Sequence, residues 1–275
     1  MNILTKILVG LFLLTSCIVG LYEAMLIEPN QVEITHHDMR KGKTAPHLRL
    51  VQLSDLHLQT FGKQEKLLVN RVMNQNPDLI VLTGDMIDRS DALPLLHEFI
   101  EALSPIPVIA IPGNWEHWSD IDFSDLRAVI ETQQQNKLLL NEEAYFNKGN
   151  HTIQLVGLDD FTGGNPDLGL LERVGYLHKK NVTTVLLEHS PGFFDLPEVR
   201  RVIASNQHFL CLSGHTHGGQ LTIGGWAPFT PRGSGHFVAG FYEVPGCQLY
   251  VSRGVGMSII SARIGSRPEI AVFDL

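Results

Sequence analysis

The chain has 275 residues, 44% hydrophobic and 18% charged, which is enough to bury one large core behind a short leader and too few for a string of domains. Its formal net charge of −8 argues against an electrostatic nucleic-acid binder, which needs a basic face to collect phosphates; a phosphorylated ligand would need cations to offset its charge. Among 13 histidines many stand beside Gly, Asp or Asn, while the 3 cysteines (Cys17, Cys211, Cys247) fit neither a disulfide framework nor a zinc ribbon, so Cys211 is expected to be a small core residue.

From Ile7 to Leu26 the chain is almost wholly apolar and is preceded by Lys6. Such a stretch at helical rise spans a hydrocarbon core. Two readings stand: a retained transmembrane helix, and a cleaved signal peptide, for which Leu14-Thr15-Ser16-Cys17 resembles a lipoprotein processing site. Apolarity continuing past Cys17 favours the retained helix. Residues 1–27 are therefore assigned as anchor, the polar stretch 28–47 as linker, and 48–275 as the catalytic domain. Lys6 before the helix and Glu23, Glu28 and Glu33 after it place that domain outside the cytoplasm by the positive-inside rule; the cluster Arg40, Lys41, Lys43 is open to the opposite reading, as a binder of cytoplasmic-face headgroups.

Beyond the linker, short apolar runs repeatedly meet polar loops. Leu48 to Leu53 ends at Ser54-Asp55, Leu79 to Leu82 at Thr83-Gly84-Asp85, and Val108 to Ile111 at Pro112-Gly113-Asn114. Thr183 to Leu187 ends at Glu188-His189 and Phe209 to Leu212 at Ser213-Gly214-His215. These read as buried strands. Helical stretches are predicted over Lys63 to Asn76, Ala92 to Leu103, Phe123 to Gln134, Leu168 to Lys179 and Phe194 to Ser205. The alternation indicates an α/β domain with parallel pairing, and its ligand site belongs beyond the carboxyl ends of the strands. The tail from Gln220, with runs at Leu249 to Val251 and Ile270 to Phe273, is expected to complete a second sheet.

Each of those strand-end loops carries a metal-competent side chain. Asp55 and His57 flank Leu56, so in extended backbone their side chains leave on one side and can grip one ion. Gly84 permits a sharp turn, and the Asp85 carboxylate can bridge two cations. Asn114 offers a neutral carbonyl, while His189, His215 and His217 offer imidazoles suited to transition metals. Asp-x-His alone occurs by chance, and a lone strand-end histidine is more often structural. Five such pieces in order carry far more weight, and Gly214-His215-Thr216-His217-Gly218-Gly219 is the most specific of them. The chain contains no Gly-x-x-x-x-Gly-Lys loop and no Gly-x-Ser-x-Gly elbow.

These blocks resemble the calcineurin-like metallophosphoesterase family, whose order is Asp-x-His, Gly-Asp-x-x-Asp, Gly-Asn-x-Glu/Asp, a lone His and Gly-His-x-His. The resemblance implies a two-sheet sandwich flanked by helices and two divalent ions (Mn, Fe or Zn). It implies that Asp55, His57 and His217 hold one ion, that Asn114, His189 and His215 hold the other, that Asp85 bridges, and that Asp88 supports the ligands from behind. The anchor, Ile27-Glu28-Pro29, Leu249 to Gly254 and Arg267-Pro268-Glu269 are similar to a narrower branch of membrane-anchored bacterial phosphodiesterases and enzymes like UDP-2,3-diacylglucosamine pyrophosphatase, of lipid A synthesis. That implies an inner-membrane enzyme acting on a phosphorylated small molecule or lipid, with no nucleic-acid partner.

One position departs from the pattern. Many members carry histidine directly after the block-three asparagine, where it protonates the leaving group; here Trp115 stands there, followed by Glu116, His117 and Trp118. Either His117 takes the role of general acid or the leaving group needs little protonation. Trp115 is a substrate-stacking candidate or a core residue. Arg253, with Arg232 and Arg263, is a candidate to bind phosphate oxygens, although arginine is also common on plain solvated surface. The rival expectations are a phosphomonoesterase or nuclease on soluble substrate, disfavoured by Trp115 and by the acidic balance, and a non-catalytic metal-binding scaffold.

Overall fold

Asn2 opens the first helix by accepting the Thr5 amide at 2.9 Å, and α1 (Ile3–Tyr22) then runs 20 residues with none buried against the rest of the chain. The computed structural model describes residues 2–40, 48–149, 151–175, 182–204 and 209–275. A π-helical turn over Glu23–Ile27 and a 3-10 turn over Glu28–Asn30 lead from α1 into the domain.

Two six-stranded sheets form the domain. Strands β1 (Glu33–Asp38), β2 (Arg49–Leu53), β3 (Leu79–Thr83), β4 (Val108–Ile111) and β5 (Lys137–Leu138) belong to the first. The second contains β6 (Glu142–Lys148), β7 (His151–Gly157), β8 (Val182–Leu187), β9 (Phe209–Ser213), β10 (Gly240–Val244) and β11 (Cys247–Val251). The last strand, β12 (Glu269–Asp274), returns to the first sheet, giving the orders β1-β12-β2-β3-β4-β5 and β10-β11-β9-β8-β7-β6. β2 through β5 pair in parallel, as do β7, β8, β9 and β11, so the carboxyl ends of both central sets point the same way within each sheet.

Period-two burial on both faces holds the sandwich together. Leu50, Leu79, Val81, Ile109 and Ile111 meet Leu155, Val185, Leu187, Leu210 and Leu212 between the sheets. Their alternates Val51, Leu53, Ile80 and Leu82 pack outward on α2 (Lys63–Met73), α3 (Leu93–Ala102) and α5 (Phe123–Ile130), which follows α4 (Asn114–Trp118). Val156, Leu186, Cys211 and Leu249 do the same on α6 (Leu168–Gly175) and α7 (Pro197–Ala204). Strands buried on both faces read as continuous apolar runs, and each such side chain stabilises the fold by roughly 1.5–3 kcal/mol. One polar residue crosses the interior: buried Gln52 donates to Thr83 Oγ1 and to the Ser213 carbonyl, both at 2.9 Å, tying the two sheets just below their carboxyl ends.

Four expectations change. Glu33–Asp38, inside the segment assigned as linker, pairs in parallel along all of β12, because Glu33 to Asp38 finds an unpaired strand edge there. The run at Ile270 to Phe273 joins the first sheet and not the second. The helix expected from Phe194 starts at Pro197, since Pro191–Asp195 forms a 3-10 turn; the ends predicted at Lys179 and Ser205 lie outside the described residues. Cys211 and Cys247, on neighbouring β9 and β11, are joined in a disulfide.

Candidate metal centre and active site

All the predicted ligand residues sit at one end of the sandwich, in loops leaving β2, β3, β4, β8 and β9. The loop backbone is not extended. Asp55 and His57 both have left-handed φ (53° and 45°), and the same holds for Asp85 (52°), His215 (71°) and His217 (48°). Asp55 and His57 therefore converge through two tight bends and not, as expected, through strand alternation. The Asp55 and His57 amides donate to the Gly84 and Asp85 carbonyls at 3.0 Å, which fixes those bends. Each non-glycine residue held this way costs about 1–3 kcal/mol, so the surrounding fold must over-determine it. Gly84 (φ 87°) is a glycine by necessity, since a Cβ there would lie 2.5 Å from His189 Nδ1 and 2.8 Å from Gly113.

The side chains form two buried clusters, Asp55 with His57 and His217, and Asp85 with His189 and His215. Within the first, His57 Nε2 lies 3.2 Å from His217 Nε2, and His217 Nε2 lies 3.5 Å from Asp55 Oδ1. Within the second, His189 Nε2 is 3.1 Å from Asp85 Oδ2. Asp85 Oδ2 also reaches to 3.8 Å from His57 Nε2, so this carboxylate stands between the clusters. Asn114 joins the second through its Oδ1, 2.8 Å from His215 Nδ1.

The donor set fits two divalent cations. His189 Nδ1 donates to the Thr83 carbonyl at 2.7 Å, which leaves Nε2 as an acceptor; it is buried without a hydrogen-bond partner and faces a carboxylate. His215 Nε2 donates to the Arg232 carbonyl at 2.9 Å, which turns the Nδ1 lone pair onto the Asn114 carbonyl oxygen. Acceptors facing acceptors in a buried site are satisfied by a cation between them. His57 Nδ1–H donates to Asp88 Oδ1 in a very short contact, leaving Nε2 free to face the site. Carbonyl or carboxylate partners that fix the ligand tautomer are what metal-binding imidazoles require. Burial, His57 and Arg263 push His217 well below the usual histidine value, so it keeps its lone pair, whereas His57 and His189, although burial lowers them, are raised overall by Asp88 and Asp85, a preference for positive charge that bound cations would meet. Burial pushes the Asp85 carboxyl up, but His189, His57 and His215 outweigh it and hold it below the usual carboxylate range.

Several residues take places the sequence did not disclose. Buried Glu116 accepts the amides of Asp85 (3.0 Å), Met86 (2.6 Å), Ile87 (3.2 Å) and Gly113 (2.7 Å), and so builds the Asp85 turn. Burial and the Asp85 charge raise it to about 7 against those donors. Asp159 and Asp160 follow β7 in the same strand-to-carboxylate pattern, which Ile153 to Leu158 could have revealed. His117 Nε2 is 2.6 Å from Asp159 Oδ1; burial lowers its affinity for a proton, but Asp159 and its neighbours raise it overall. Trp115 donates its amide to Asp85 Oδ1 at 2.9 Å, and its ring stands edge-on to His57, 6.0 Å between centroids. The guanidinium of Arg253, expected to bind phosphate oxygens, pairs with Glu33 (2.8 Å) and Glu269 (3.3 Å) and pins β1 to β12. Arg263 is wholly buried behind His217, and Arg232 contributes its carbonyl to His215.

Two sheets whose carboxyl ends meet over two buried clusters able to hold metal ions define a dinuclear-metal phosphoesterase. The chain belongs to the calcineurin-like phosphoesterase family, whose model matches residues 48–219. It is 32% identical over 270 residues to the uncharacterized metallophosphoesterase YkuE of Bacillus subtilis (strain 168), covering 92% of this chain and 88% of that one. It is 27% identical over 257 residues to phosphodiesterase YaeI of Escherichia coli (strain K12), covering 90% of each. A dimetal phosphatase structure from Danio rerio shares the fold, with a TM-score of 0.51 over 77% of this chain and 88% of that one at 13% identity.

Proposed function

We propose that this metal-dependent phosphoesterase cleaves a phosphodiester or pyrophosphate bond of a lipid-linked substrate at a membrane surface, of the kind represented by UDP-2,3-diacylglucosamine. One observation carries the reading: the metal-ligand rim is covalently continuous with a fully exposed apolar helix of 20 residues, whose length matches a bilayer core. The likeness to a phosphodiesterase supports the bond class.

Asp55, His57 and His217 are assigned to one ion, and Asn114, His189 and His215 to the other, with Asp85 shared. When bound, the two ions supply positive charge for the phosphoryl oxygens and lower the pKa of a water. The chain itself fixes the geometry. Asp88, Thr83 and the Arg232 carbonyl hold the imidazole tautomers, Glu116 holds the backbone under Asp85, and Trp115 walls the site beside His57. With tryptophan in the place of an acid, the reaction suits a leaving group of low pKa such as a nucleotide phosphate. Lys6 before the apolar run of α1, with Glu23, Glu28 and Glu33 after it, favours a catalytic domain outside the cytoplasm of a bacterial inner membrane.

The test incubates detergent-solubilised protein and manganese with phosphodiesters, nucleotide-sugar lipids and phosphomonoesters. Turnover of lipid-linked diesters or pyrophosphates above the others is the expected result. Turnover confined to phosphomonoesters or to soluble substrates would overturn it.

A further inference from the structure

The foot of α1 is bonded to the loops that back the metal site. The Ala24 carbonyl accepts from the Arg263 amide at 2.9 Å, and Glu28 Oε1 accepts from the Ser266 amide at 2.7 Å. Ser266 Oγ donates in turn to the carbonyl of His217 at 2.8 Å. The buried Arg263 guanidinium donates to the carbonyls of Ser266 (2.9 Å), Arg253 (3.0 Å) and Gly256 (2.6 Å), so this underside is a closed hydrogen-bonded block.

Beside that foot stand six exposed apolar side chains on two loops: Ile223, Trp226 and Phe229, with Ile259, Ile260 and Ile264. Phe229 is 83% exposed, Ile259 87% and Trp226 67%. The backbone that carries them is stiff. Ile223 and Trp226 exchange amide–carbonyl bonds of 3.0 and 3.1 Å across Gly224 and Gly225, both with positive φ (58° and 83°), which is a tight two-residue hairpin turn. Thr222 N donates to the Ile264 carbonyl at 2.7 Å, and Gln220 Nε2 to that of Ala262 at 3.0 Å, which joins the loops to each other. Scattered surface apolar residues need no explanation, but six on two cross-linked loops mark a contact surface.

Position and charge select the partner. Met25 and Leu26, exposed at the end of the apolar helix, follow directly on the Ala24–Arg263 junction. The chain carries a net −8, yet it has no Asp or Glu from 199 to 242 or from 244 to 268. Two loops that are apolar, aromatic and free of carboxylates suit the headgroup–acyl boundary of a bilayer containing anionic lipid.

We propose that residues 221–229 and 257–264 form a second membrane contact, seated in the lipid interface beside α1. The contact rests on the reading of α1 as a span and extends it. A span alone tethers a domain that swings; two bonded contacts set its tilt and hold the His217 side of the rim at the level of lipid phosphates.

The test uses full-length protein in phosphatidylcholine–phosphatidylglycerol vesicles, with and without bromine on the acyl chains, and Trp226→Phe in parallel to isolate Trp226 from Trp115 and Trp118. The Trp226 share of the emission is expected to be blue-shifted and lost to bromine. Flotation of the protein with vesicles while Trp226 stays unquenched would overturn the second contact and leave the span standing; this includes a blue-shifted, unquenched Trp226 buried by a second copy. Failure to float would overturn the span and the contact with it. Ile223→Glu with Ile259→Glu should lower turnover of vesicle-embedded phosphodiester and spare bis(4-nitrophenyl) phosphate. Equal turnover of both substrates by variant and wild type would also overturn the contact.

Discussion

The two sheets contribute different chemistry to the rim. Loops of the first provide Asp55, Asp85, Asn114 and one imidazole, His57, whereas loops of the second provide only the imidazoles His189, His215 and His217. Each buried cluster draws from both: Asp55 and His57 need His217, and Asp85 needs His189 and His215. Bound cations would act as a clasp between the sheets, above the point where Gln52 already crosses. With only Asp55 and Asp85 as carboxylates in the two clusters, the candidate ligands carry less negative charge than two divalent ions offset.

The strongest way to break this arrangement is Asp85→Ala. It removes the carboxylate whose Oδ2 reaches an imidazole of each cluster, so turnover is expected to vanish and metal to leave both sites; elemental analysis showing two ions per chain would refute the shared role. Next comes Trp115→His, which places an imidazole on the first sheet's side beside His57. Rates on alkyl phosphodiesters should rise by up to about 10²–10⁴-fold while nitrophenyl esters hardly change, read as a flatter dependence of rate on leaving-group pKa. His117→Ala should leave the wild-type dependence as steep as before, because Asp159 holds that imidazole.

Chelation tests the clasp through stability. Saturating metal at about 100 times Kd stabilises by about 2.7 kcal/mol per site, so EDTA should lower the melting temperature, and the loss should be smaller in a variant lacking His189. Removing Asp88 strikes only the first sheet's imidazole. Asp88→Asn should weaken metal binding about 10–100-fold by releasing His57, with the fold intact, as followed by metal titration. The smallest effect belongs to the His117–Asp159 pair. Folding raises the histidine pKa above 6.5, so its stabilisation is complete below that pH and fades as pH climbs through the higher folded value. Asp159 is depressed by the same contact against burial and keeps its share down to acid pH. Melting temperatures of wild type and His117→Asn should therefore converge on the alkaline side.

The strand ends were legible because a doubly buried parallel strand is an uninterrupted apolar run, and its polar successor is where the loop begins. That logic located Asp55, Asp85, Asn114, His189 and His215 together with most of the helices. It could not see β6, whose Glu142, Glu143, Asn147 and Lys148 face solvent on an edge strand, nor β1, whose Glu33-Ile34-Thr35-His36-His37-Asp38 looks like linker until β12 lies beside it. The ion pairs of Arg253 are hidden from the sequence for the same reason. Its partners Glu33 and Glu269 come from distant points of the chain, and only the β1–β12 pairing brings them to it. The left-handed bends at Asp55 and His57 leave no trace in a three-residue pattern. Glu116 was visible as a letter in a motif, but its four amide contacts were not.

Those bends also restrict which sequences the rim can explore. At 55, 57, 85, 215 and 217 the backbone tolerates Asp, Asn, His and Gly far better than valine or isoleucine, whose branched Cβ clashes in the left-handed region. A saturation library selected only for cellular abundance, with no demand for activity, should therefore be depleted of β-branched residues at these five positions. Asparagine and glycine should persist there. The history of such a rim then runs through inactive but foldable neighbours, which lets ligand identity drift without loss of the scaffold.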